Sequence, residues 1–252
     1  ISLTGRGAIG EIDLRLVGNV LADRISLEAG EGGARILLPA DISFRDLSGE
    51  EHPDAFRVAQ DGALDFGGGA NQLVTRANLV DPGGVLAGME LALESRQGQV
   101  HVFDPVQVGG TRLTLRGAGA RSVQVDGDLD VARLTLGSGT AFIDGDLDVE
   151  GSLAAAGNLE VTGDRAAVAG RIDLTADQDQ QVIRVGETGA GTLALGGDVL
   201  RQRTAGKGDL RLEVGSIDFT SSRDQRIAAH GGVASGAPAG TLAEGSLSIT
   251  AV

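Results

Sequence analysis

The sequence predicts an all-β chain wound as a parallel β-helix, and three observations predict it. Residues 126–131 and 144–149 are the same hexapeptide, Asp-Gly-Asp-Leu-Asp-Val, repeated after 18 positions, with an eroded copy beginning at Gly163. Each repeat carries about three short apolar triplets, Leu129-Asp130-Val131, Leu134-Thr135-Leu136 and Phe142-Ile143, separated by Gly, Asp, Asn or Ser. Glycine makes up 41 of 252 residues, while there are six Phe, one Met and no Trp, Tyr or Cys. A fixed period of ~18 to 20 residues with period-two alternation means one turn of a solenoid, each strand lying about 4.8 Å from its equivalent in the next turn. Aliphatic side chains then stack into a narrow core, and glycine serves the corners because it reaches positive φ without steric cost. One chain of this length holds about ten to twelve such turns, roughly 50 to 60 Å of stack, as a single domain over residues 1–252.

The chain opens within the pattern. Ile1-Ser-Leu3, Ile12-Asp-Leu-Arg-Leu16, Ile25-Ser-Leu27 and Ile36-Leu-Leu38 read as strands separated by glycines. Between residues 39 and 62 the rhythm falters, and His52-Pro-Asp sits in the densest run of charge. That segment reads as a loop or hairpin insertion whose tip projects between strands Ile42-Ser-Phe44 and Phe56-Arg-Val58. Triplets return at Leu64-Asp-Phe66, Leu73-Val74, Leu91-Ala-Leu93, Val100-His-Val102 and Val106-Gln-Val108, with a turn at Asp81-Pro-Gly-Gly84. Residues 86–93 could be taken for a short helix, but Gly88 and the neighbouring triplets favour strand.

Beyond the central repeat, Ile172-Asp-Leu-Thr and Ile217-Asp-Phe-Thr, each followed by an Asp-Gln, form an echo 45 positions apart. The spacing equals about two enlarged turns, so the last third continues the coil with longer corners, one of them at residues 230–240. A fresh strand, Leu247-Ser-Ile-Thr250, ends the chain. Neither terminus supplies a cap, which leads us to expect a piece of a longer fibre or a protomer that stacks end to end.

The formal charge is −14, with 35 acidic against 21 basic residues, and such a surface repels phosphate backbones, so nucleic acid is excluded as an expected partner. No run of about 18 apolar residues exists, so no membrane insertion is expected. Without cysteine there is no disulfide framework, thiolate catalysis or cysteine metal site. His52, His101 and His230 are scattered, and His101 reads as an outward strand residue. Gly5-Arg-Gly-Ala-Ile-Gly10 fits a dinucleotide-binding string, but no helix pattern follows it.

The aspartates need separate treatment. Asp126, Asp128 and Asp130, and Asp144, Asp146 and Asp148, read as alternating along strands so that equivalent carboxylates stack one strand spacing apart. Calcium between Asp128 and Asp146 would relieve that repulsion. The calcium-binding nonapeptide is absent, Gly67-Gly-Gly-Ala-Asn-Gln-Leu73 being a broken resemblance, and outward solvated aspartates are the expected state. No metal, cofactor or catalytic residue is therefore assigned. Carboxylates on adjacent turns also suit a polysaccharide-acting β-helix enzyme, but the lack of Trp and Tyr to stack on sugars speaks against one.

Gly145-Asp-Leu-Asp-Val149, Gly157-Asn-Leu-Glu-Val161, Arg171-Ile-Asp-Leu-Thr175 and Gly208-Asp-Leu-Arg-Leu-Glu-Val214 resemble the repeats of filamentous-haemagglutinin-type exoproteins, the large secreted adhesins of Gram-negative bacteria. The resemblance implies a right-handed coil, export to the cell surface, and adhesion or fibre formation. It implies as partners copies of the same shaft or its flanking turns, and a host or cell-surface glycan or protein receptor. No site residues carry over. The expectation is a structural shaft of an extracellular adhesin or surface filament; the alternatives are the polysaccharide enzyme and an intracellular self-polymerising scaffold.

Overall fold

A computed structural model describes residues 88, 90–96, 98–103, 105–203, 206–231 and 245–250, and, of the earlier chain, the backbone of seven strands between Ser2 and Thr75. Every regular element among the described residues is a strand, and the strands of both sheets pair in parallel. The strands form a 15-stranded and a 10-stranded sheet.

Pairing register resolves these sheets into three ladders that the chain visits in rotation. The first runs through Val106, Leu129, Leu147, Ala166, Leu193 and Ile217, each beside the next. The second runs through Leu91, Leu113, Leu134, Leu153, Ile172, Val199 and Ile227. The third, the 10-stranded sheet, passes Val100, Val123, Ala141, Leu159, Ile183, Leu212 and Ile249. Three strands per repeat, as the triplets predict, is what register shows.

The alternation within each triplet sets the core. Leu129 and Val131 are buried while Asp130 between them is half-buried, and Leu147 and Val149 flank an exposed Asp148. Like residues stand over like in each ladder, so one apolar cluster extends from Leu91 to Val214. Full burial of each such side chain contributes about 1.5–3 kcal/mol. Residues 90–94 are strand, as Gly88 and the triplets require, with Leu91 and Leu93 in the core.

Around residues 39–62 the rotation is broken in a specific way. Ser43–Asp46 pairs in parallel with the first part of Ala55–Gly68, Phe44 beside Phe56, while the opposite edge of that part carries residues 20–22. The two strands expected to flank an insertion are therefore direct neighbours in the 15-stranded sheet. The expected tip, residues 47–54, lies outside the described residues, as do the turn at Asp81-Pro-Gly-Gly84 and residues 232–240 of the long corner.

Candidate functional site

Chemistry-bearing side chains gather at the corners, because the strands give their inward positions to the core. The central aspartates illustrate this and correct one expectation. Strand Leu129–Leu136 begins at Leu129, and Gly127 has φ +137°, so Asp126 and Asp128 belong to a corner and do not alternate along a strand. Only Asp130 and Asp148 stack as outward strand partners.

The corner carboxylates bond backbone. Asp128 Oδ1 accepts from the Asp146 N–H at 2.8 Å, and Asp146 Oδ1 accepts from the Arg165 N–H at 3.0 Å. The same device recurs elsewhere: Asn158 accepts from Val182 N–H, Asp198 from Arg226 N–H and Asp209 from Ser246 N–H, at 2.8 to 2.9 Å. Each of these Asx residues immediately precedes an inward apolar residue, and each reaches the equivalent position one turn on. A corner N–H that has left its ladder needs an acceptor, and a short carboxylate or amide supplies it. Glycine in the Asp-Gly-Asp motif makes room for this bond. A Cβ on Gly145 would lie 2.5 Å from Asp128 Oδ1, and one on Gly163 would lie 2.3 Å from Asp146 Oδ1.

Long corners use the opposite device, a buried donor. Gln181 is fully buried, and its Nε2 donates to Ala155 O at 3.1 Å and Gly157 O at 2.5 Å while its Oε1 accepts from Ala176 N–H. Gln225 Nε2 donates likewise to Leu195 O and Gly197 O. Both glutamines stand two residues before an inward isoleucine of the next strand, Ile183 and Ile227. In both places a wide corner leaves carbonyls of the tighter corner below without partners, and an amide reaches back to them; the two glutamines do not align in the echo, where Gln225 matches Gln180.

Arg201 is the third such donor and the one that alternation missed. It occupies an inward position of the second ladder, beside Leu174, and is fully buried. Its guanidinium donates to Ala176 O at 2.7 Å and Gln178 O at 2.8 Å. Burial, and then the neighbouring charge of Arg203, hold its pKa below the ordinary guanidinium range.

His101 lies outward on its strand, as expected, and links two turns: its Nε2 is 2.8 Å from Asp126 Oδ2, and its ring stacks on Phe103 with centroids 3.9 Å apart. Gln124 Nε2 donates to the other Asp126 oxygen at 2.7 Å. Both oxygens of that carboxylate are thus engaged within the fold. His230 closes strand Ile227–His230 and is exposed, and His52 lies outside the described residues.

Among the described residues a groove of about 610 Å³ is lined by Asp128, Asp146, Asp164, Glu187 and Thr162. Among the described residues no group of three or more acidic or histidine side chains is arranged to hold a metal ion. Beside the groove, Asp130 has its pKa raised above 3.8, first by burial and then by the charges of Asp148 and Glu150. The arrangement thus offers carboxylates committed to backbone and an acidic exterior. Compared with known proteins, the chain matches no family model, no curated protein and no solved structure.

Proposed function

We propose that the three ladders form a right-handed parallel β-helix and that this coil serves as the structural shaft of an extracellular adhesin or surface filament of the filamentous-haemagglutinin type. The observation that carries the reading is the aliphatic-over-aliphatic register shared by all three ladders across successive turns. A continuous stack of parallel pairings has the mechanical character of a rod: pulling along it loads many hydrogen bonds together, around one aliphatic cluster. The corner devices support the same reading, since the most conspicuous polar side chains are spent on joining one turn to the next. Its partners would be flanking turns or copies of the shaft, and a surface receptor for whatever the corners display.

Electron microscopy of native cells with an antibody to this chain tests the proposal. Label along thin fibres outside the cell is the expected result. Label on filaments beneath the inner membrane would replace the shaft with a cytoskeletal scaffold, and label confined to soluble material with turnover of acidic glycans would replace it with an enzyme. A density map of the coil would give its hand.

A further inference from the structure

We propose that a second copy of this chain docks sideways on the arginine-bearing corner, offering its own aspartate corner as the partner surface. The inference rests on the ladders and not on the shaft reading. Glu90, Arg112 and Arg133 are successive register partners at the start of the second ladder. Arg171 holds the equivalent place two turns on, where its guanidinium pairs with Asp173. Arg112 and Arg133 thus stand one strand spacing apart, about 4.8 Å, where like charges destabilise.

Among the described residues neither guanidinium has a carboxylate partner, and the nearby Glu94 is taken by Arg116 at 2.9 Å. The two arginines line a groove of about 280 Å³ together with Glu90, which stands beside Arg112 in register without an ion pair to it, and with Thr114, Thr135 and Ser152. An acidic occupant would relieve the repulsion.

The same molecule carries such an occupant. The corner before the first ladder presents Asp128 in one turn, Asp144 and Asp146 in the next and Asp164 in the third, and the carboxylates of Asp128 and Asp146 bond backbone N–H groups, leaving their charge uncancelled. Arg112 and Arg133 stand on successive turns, as do Asp128 and Asp146, so two charges of each sign repeat with one axial spacing and can meet pair by pair. Exposed pairs are weak singly, and repetition is what makes them count. Each copy carries −14, but at physiological salt the Debye length is about 8 Å, which screens whole-body repulsion more than contact pairs. Different corners face each other, so the contact is heterologous and continues past a dimer.

Sedimentation velocity of the full chain at roughly 0.01, 0.15 and 1 M salt, where the Debye length is about 30, 8 and 3 Å, tests this. Association should peak at the middle condition and vanish at the highest. Arg112→Glu with Arg133→Glu should abolish it, as should Asp144→Arg with Asp164→Arg, each variant keeping the parental circular dichroism. An equimolar mixture of the two variants should associate again, because each retains the surface the other lacks. A chain that is monomeric at all three salts, association that survives the arginine changes, or a mixture no better than its components would each overturn the proposal. So would a monomer whose Arg112 and Arg133 bind an oligogalacturonate probe instead, which would assign the corner to an anionic sugar chain.

Discussion

Among the described residues, Asp130 and Arg201 are the two whose ionisation the fold works against, and their consequences run in different directions. The Asp130 carboxyl is raised above 3.8 by burial and by Asp148 and Glu150. Between 3.8 and the raised value the folded chain holds a proton that the unfolded chain has released, so stability falls as pH rises through that window and stays lower above it. Asp130→Asn should therefore raise the melting temperature at neutral pH and leave it unchanged below pH 3.8, as followed by circular dichroism across pH. Arg201 is instead useful because it is buried: its guanidinium is the donor that satisfies Ala176 O and Gln178 O. Arg201→Met keeps the volume and removes the donor. It should cost roughly 1–3 kcal/mol for each carbonyl left buried and unpaired, read from urea denaturation.

At the scale of the corner, the repeated Asp-Gly-Asp motif is an acceptor placed where a backbone N–H has no ladder partner, with a glycine that leaves space for it. The acceptor reading makes a sharp distinction. Asp128→Asn keeps an oxygen aimed at the Asp146 N–H and should melt with the parent, whereas Asp128→Ala should lose about 1 kcal/mol. A calcium bridge between Asp128 and Asp146 would show the reverse signature, with Asp128→Asn losing a stabilisation that calcium confers and chelator removes. The period, the three triplets per turn and the inward alternation were legible in the sequence, because they follow from side-chain direction alone. The corner bonds were not. Asp126, Asp128 and Asp130 alternate on paper, and only the +137° φ of Gly127 shows that the first two sit on a bend. Arg201 was illegible for a related reason: in Val199-Leu200-Arg201 nothing marks Arg201 as inward until its register beside Leu174 is known. The parallel pairing of Phe44 with Phe56 is likewise a matter of register between strands separated by an irregular segment.

For the whole molecule, the decisive property is that each turn touches only the turns beside it, so stability is a sum of turn and interface contributions in one dimension. Leu153 sits in the middle of the second ladder, between Leu134 and Ile172, and is fully buried. Leu153→Asp places an unpaired carboxylate in that dry column and breaks two interfaces at once. A globular core would respond by losing stability everywhere. A one-dimensional stack should divide, with protection from amide hydrogen exchange collapsing across residues 147–161 first, while the later turns around Leu193 and Leu212 keep protection because their own interfaces are untouched. Hydrogen-exchange mass spectrometry resolves the two cases directly: a local collapse with preserved later turns bears out the additive stack, and uniform loss across all peptides would show that the ladders fold as a single cooperative unit.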